Sequence, residues 1–161
     1  MTHPPIRRQE RAVTDAQQIE AILQKCTCCR LGFNDNGEIY IVPLNFGYRW
    51  ADEACTLYFH GAPEGRKAAL LKGRPHVGFE LDCGYALQSA ETACGYSARY
   101  QSIIGTGRAK PVEDPEEKLL GLTLLMEHTA GAGDWTFSPE ALQQTFVFKV
   151  LVDTLSCKEH T

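Results

Sequence analysis

Apolar residues at Ile19, Ile22 and Leu23 follow a spacing of three and four, which predicts one buried helical face. Thr14, with Gln17 three residues on, fits a capping box, so a helix is expected over residues 14–25. After it the period falls to two. Residues 28–33 and 38–49 read as strands on either side of Asn34-Asp35-Asn36-Gly37. Asn-Gly favours a tight hairpin there because both residues tolerate positive φ. Ala51-Asp52-Glu53 turns the chain, and residues 55–60 (CTLYFH) make a third strand.

A short helix is predicted over 64–72, stopped by Gly73 and Pro75, then a strand over 76–82 (HVGFELD). Residues 83–97 show no clear period and read as a loop. Residues 99–112 resume as a strand, with Gly105 and Gly107 suggesting a bend or bulge. Asp114-Pro115-Glu116-Glu117 places Asp at an N-cap, Pro at N1 and an acid at N3, opening a helix to about residue 127. Ser138-Pro139-Glu140 opens a last short helix, and residues 145–153 (TFVFKVLVD) close as a strand. Six strands and interspersed helices lack regular βαβ alternation, so the class is mainly β (α+β), a small antiparallel barrel with peripheral helices. Residues 1–13 read as a loosely ordered N-terminal arm and 14–161 as one domain.

Charge and cysteine usage narrow the function. The 161-residue chain carries a net charge of −4, with tight basic pairs only at Arg7-Arg8 and Arg66-Lys67, which disfavours nucleic-acid binding. No signal peptide or membrane span is expected. Seven cysteines, an odd number in a chain this long, speak against a secreted disulfide framework and for a reducing cytoplasm. Cys26-x-x-Cys29 has metal-ligand spacing, but zinc needs a second pair, and Cys83 and Cys94 are too far apart to supply one. No metal is expected.

The segment Leu57-Tyr58-Phe59-His60-Gly61 followed by Gly65-Arg66-Lys67 carries the candidate chemistry. A strand end, a turn through Pro63 and a helix start offer free N–H groups to an anion. Gly61 and Gly65 allow close approach, and Arg66 and Lys67 oppose the helix macrodipole unless an anion offsets them. From the residues alone, a phosphate site and a solvated helix start with two exposed cations remain equal readings. A P-loop is excluded: the glycine spacing is one residue short, Arg stands for the Lys, and no Ser or Thr follows. In Ile41-Val42-Pro43-Leu44-Asn45-Phe46-Gly47-Tyr48, Pro43 suggests an edge strand and Asn45 reads first as structural. His60 could cap a turn or act on a ligand.

The strings VPLNFGY, LYFHGAPEGRKAALLK, HVGFELD and YQSIIGTGRAKPVEDPEEK resemble the pyridoxamine 5′-phosphate oxidase-related flavoproteins, in particular the nitroimidazole-resistance-like branch. The resemblance runs from about residue 8 to 155. It implies a six-stranded antiparallel split β-barrel homodimer with FMN at the subunit interface; FAD is the alternative flavin and haem a more distant option. By the match, Val42, Pro43, Leu44 and Asn45 line the ring and ribityl chain. Phe59, His60, Gly61, Gly65, Arg66 and Lys67 lie at the phosphate end, and His60 is the candidate catalytic residue. Tyr100 and Ser102 approach the ring, and Trp135 closes the cleft. The tail TFVFKVLVDTLSCKEHT lacks the Arg-x-His segment of authentic pyridoxamine-phosphate oxidases, which disfavours vitamin B6 oxidation. The expectation is a flavin-dependent oxidoreductase acting on a small electron acceptor such as a nitroaromatic. A flavin carrier without turnover and a haem-binding split barrel are the alternatives.

Overall fold

The protein, a computed structural model, is described over residues 6–51 and 54–161. Among these, the 51–53 turn is described only at Ala51, since Asp52 and Glu53 lie outside the described residues. Eight strands form one antiparallel sheet: β1 (Ala12–Val13), β2 (Cys29–Asp35), β3 (Glu38–Leu44), β4 (Gly47–Ala51), β5 (Ala54–Gly61), β6 (His76–Gln88), β7 (Ser97–Pro111) and β8 (Phe146–His160). Their order is β3-β2-β6-β7-β8-β5-β4, with β1 pairing β8. Four helices flank the sheet: α1 (Ala16–Lys25), α2 (Arg66–Lys72), α3 (Pro115–Ala130) and α4 (Pro139–Gln144).

The expected hairpin forms as read, with Asn36 at φ 53° and Gly37 at φ 93° between β2 and β3. Its return strand differs from expectation. Residues 38–49 break at Asn45-Phe46, and the halves become the two opposite edges of the sheet. Phe46 is fully buried, its ring 4.3 Å from that of His128, so the chain dives through the core between the edges instead of continuing straight. Those unjoined edges make the barrel a split one. Pro43 sits on an edge strand, where a missing N–H costs no ladder bond.

Three further boundaries shift. Asp15 and not Thr14 caps α1, its carboxylate accepting from the Gln18 N–H at 2.9 Å; Thr14 is displaced because Ala12–Val13 is already committed to pairing with β8. Residues 83–97, read as a loop, continue β6 and β7 past a register shift between Cys83 and Ala86, with a 3-10 turn at Ala93–Gly95. β8 runs to His160, far beyond residue 153, because it pairs with the whole length of β7. The anticipated bulge lies between Thr106 and Gly107. Asp114 and Ser138 cap α3 and α4 as expected, accepting from Glu117 N–H at 2.8 Å and Ala141 N–H at 3.1 Å.

The core fills the barrel with Phe33, Phe59, Phe148, Leu31, Leu57 and Leu81, closed from outside by Ile19, Ile22 and Leu23 of α1. A satellite cluster of Tyr58, Val112, Leu122 and Val147 seats α3. α3 approaches β4 so closely that a Cβ on Gly47 would stand 2.4 Å from the Leu125 nitrogen.

Candidate functional site

The end of β5 and the start of α2 bring His60, Gly61, Gly65, Arg66 and Lys67 together. The helix begins at Arg66, two residues later than expected, and spans one to two turns. Gly65 is its N-cap at φ 96° and carries no side-chain cap; the Ala69 N–H is bonded to the Gly65 carbonyl. The N–H groups before it have no intrahelical acceptor.

The two cations differ. Arg66 donates from Nε to Asp35 Oδ2 at 2.8 Å, pairs with Glu38 at 2.9 Å, and stacks 4.6 Å from the Tyr40 ring. Hydrogen bonds to Asp35 and Glu38 raise its pKa. The hairpin therefore anchors Arg66, which is not the free cation the sequence suggested. Lys67 has no ion-pair partner among the described residues. Its ammonium lies 5.4 Å from the Phe148 ring and 2.6 Å from where a Cβ on Gly61 would stand. Burial lowers its pKa, since removing water disfavours the charged form. Only glycine at 61 leaves the lysine this position.

His60 is exposed and lies opposite Val147 on β8. Phe59 is fully buried, stacked on Phe148 at 5.0 Å, so its side chain belongs to the core and not to an open site. This corrects its place among the cofactor residues: strand alternation turns it inward while His60 faces out.

The other predicted residues collect elsewhere. Ser102 pairs with Asp82 and Lys158, and Tyr100 with His160. Ser102 is thus eleven positions along β8 from the partner of His60, at most about 36 Å of strand. Arg11 donates to the Tyr100 hydroxyl at 3.3 Å. β3 links the two groups: Tyr40 lies under Arg66, while Leu44 stands in one cross-strand row with Cys29, Leu81 and Ile103. Val42 and Leu44 are half-buried and pack on the core; Pro43 and Asn45 are exposed. Pro43, Arg30, Glu80 and Ile104 form a row on the outer face, with Ser102 on that face two residues on. Trp135 donates to the Gly131 carbonyl at 3.0 Å beyond α3, and no contact among the described residues joins it to either group.

The outer face is shallow and mixed, with Arg30 bridging Glu80 and Asp82 beside exposed isoleucines. Gly32 and Gly78 floor a trough of about 410 Å³ with Ile41, flanked by Arg30 and Glu80. Ile39 and Ile41 are 67% and 61% exposed, and Ile104 53%, more apolar surface than an isolated sheet face usually leaves open. A cavity of about 540 Å³ lies apart between α1, β4 and α3, and none of the predicted site residues lines it. Among the described residues no His, Cys, Asp and Glu cluster could hold a metal ion, and no helix is long and apolar enough to cross a membrane.

Sequence reasoning missed Asp35, Glu38 and Tyr40 as the clamp on Arg66. The acids flank the Asn-Gly turn, but nothing local says which cation they meet. It also missed the half-buried chain in which Lys149 and the Tyr58 hydroxyl both engage Glu117. Burial and the Glu117 charge push Tyr58 up to about 12.

The model of the family described as pyridoxamine 5′-phosphate oxidase matches residues 15–159. The chain belongs to this family. A candidate 5-nitroimidazole antibiotic resistance protein from Bacteroides thetaiotaomicron is 34% identical, with 92% of this chain and 86% of that chain covered at a TM-score of 0.78. The flavocytochrome from Azotobacter vinelandii is 21% identical over 98% and 72%, TM-score 0.79. An FAD- and haem-binding protein from Mycobacterium smegmatis is 17% identical over 92% and 73%, TM-score 0.80. The last two share the split-barrel fold. No curated protein matches.

Proposed function

We propose that this family member is a flavin-binding oxidoreductase holding FMN, with the cofactor phosphate at Lys67 and the ring directed along β3. The observation that carries the reading is Lys67: a half-buried ammonium without a carboxylate partner among the described residues, set over a glycine that leaves it room. A burial that disfavours charge is offset by a bound anion. Arg66, with two of its nitrogens held by Asp35 and Glu38, orients the site and has Nη1 left to reach a phosphate oxygen. The donor set fits a terminal phosphate, which FMN carries, whereas FAD carries a bridging diphosphate.

Flavin, once bound, supplies the redox chemistry. The chain supplies the rest. Val42, Pro43, Leu44 and Asn45 offer edge-strand backbone and one amide to the ring, and His60 stands exposed at the strand end on the substrate side. Because Ser102 and Tyr100 lie far along β8 from Lys67, a cleft using both ends is best served by two subunits. A homodimer covering the outer face around Ile39, Ile41 and Ile104 meets that need. Trp135 would then close the cleft from the partner.

Similarity to the Bacteroides protein supports a nitroaromatic acceptor. Seven thiols suit a cytoplasmic setting. FMN titrated into wild type and Lys67→Ala, followed by flavin fluorescence, tests the reading. Loss of one charge-assisted contact of about 1.5–3 kcal/mol should weaken binding roughly 10–100-fold. Equal affinity in the two proteins would contradict it. Reduction of a 5-nitroimidazole by the loaded wild type would assign the acceptor.

A further inference from the structure

Three of the seven cysteines gather in the core near the end of α1: Cys26 caps that helix, Cys83 lies on β6 and Cys157 on β8. Cys26, the C-cap of α1, is fully buried and donates its thiol to the Ile22 carbonyl at 3.4 Å. Cys83 of β6 reaches the same carbonyl at 4.0 Å and donates to Gln101 Oε1 at 3.5 Å. The two thiols thus converge on one carbonyl, and Cys157, buried on β8, neighbours Cys83.

Access and mobility differ across this trio. Cys83 is half-buried, and its sulfur lies against Ile22 and Gln101, two residues that line a neighbouring cavity of about 250 Å³ with Lys25 and Glu159. Its backbone stands where the ladder loses register, before Gly84 at φ 67°. An interrupted ladder lets the Cys83 Cα shift toward α1 at low cost. Cys26 and Cys157 are fully buried; burial raises the Cys26 thiol above its ordinary range and pushes Cys157 up to about 11. Buried neutral thiols meet solvent oxidants poorly.

We propose that Cys83 and Cys26 form a reversible disulfide, with Cys83 the thiol that meets the oxidant and Cys26 the one that resolves it. The oxidant class is a low-molecular-weight disulfide such as oxidised glutathione. The Cys83 thiolate attacks one of its sulfurs, forming a mixed disulfide and expelling one glutathione thiolate. Cys26 gives its proton to water and attacks the Cys83 sulfur; the Cys26–Cys83 bond forms and the second glutathione thiolate leaves. Both thiolates take up protons, so two protein thiols are oxidised and one disulfide is reduced to two thiols. Cys26 outranks Cys157 as partner because its thiol and that of Cys83 reach the same Ile22 carbonyl. The bridge ties the end of α1 to β6 and needs no flavin.

The test uses full-length Cys94→Ser protein, which removes the one exposed thiol among the described residues. The protein is treated with oxidised glutathione, alkylated with N-ethylmaleimide in denaturant, weighed and digested. Six labels should fall to four, with a crosslinked Cys26–Cys83 peptide and recovery of six labels in dithiothreitol. A mixed disulfide at Cys28 is told apart by its retained glutathione mass. Adding Cys26→Ser should leave glutathione trapped on Cys83. Six labels after oxidation, or a bridge from Cys83 to Cys157, would overturn the proposal, whatever the outcome with flavin.

Discussion

Lys67 is the residue on which the site turns, and its protonation gives two effects of opposite sign. Burial lowers its folded pKa below the ordinary 10.5, so between those two values the unfolded chain holds more protons than the folded one. The ligand-free protein therefore gains stability as pH rises through that window, while the penalty is fully present below it. Flavin affinity does the reverse and falls as Lys67 loses its charge. We expect Lys67→Met to abolish both slopes, read as the difference from wild type in urea midpoints and in FMN titrations from pH 7 to about 10.5. Parallel slopes in wild type and variant would place the titrating group elsewhere. The sequence pointed to the Arg66-Lys67 pair but could not rank the two. Ranking needed Asp35 and Glu38, thirty residues away across a hairpin, and Phe148 from the last strand.

At the scale of elements, local chemistry was legible and long-range pairing was not. Asp114-Pro115 and Ser138-Pro139 opened helices where their residues said they would, since an N-cap depends only on near neighbours. Residues 83–97 were illegible because Tyr85 and Leu87, 69% and 62% exposed, break the apolar alternation of a half-buried strand. Their hairpin is held chiefly by β6–β7 pairing, with His160 bonded to the Ala98 carbonyl at its base. The break at Asn45-Phe46 was hidden for the same reason: an apolar run looks continuous until its halves join different edges. Two substitutions test this level. Asp114→Ala should cost about 1 kcal/mol in chemical denaturation. Gly47→Ala should cost about 3 kcal/mol, because its Cβ would enter the Leu124–Leu125 backbone of α3 and push that helix off β4. If Gly47→Ala were neutral, the seating of α3 on β4 would be wrong.

For the whole molecule, the split barrel sets out two groups of residues at opposite ends of β8 and joins them by one edge strand, β3. That layout explains why residues as far apart in the chain as Asn45, His60 and Ser102 were associated by family resemblance before any local pattern tied them together. It also leaves exposed isoleucines on an outer face whose cover, in this account, is a second copy of the chain. In gel filtration, flavin content should track the dimer peak, and flavin bound to monomer would oppose a two-subunit cleft. The most direct test of the central claim is to denature the purified protein and weigh what it releases. The account predicts FMN near one per chain, with absorbance at about 450 nm before release. Haem with a Soret band, or no flavin even after reconstitution, would contradict it.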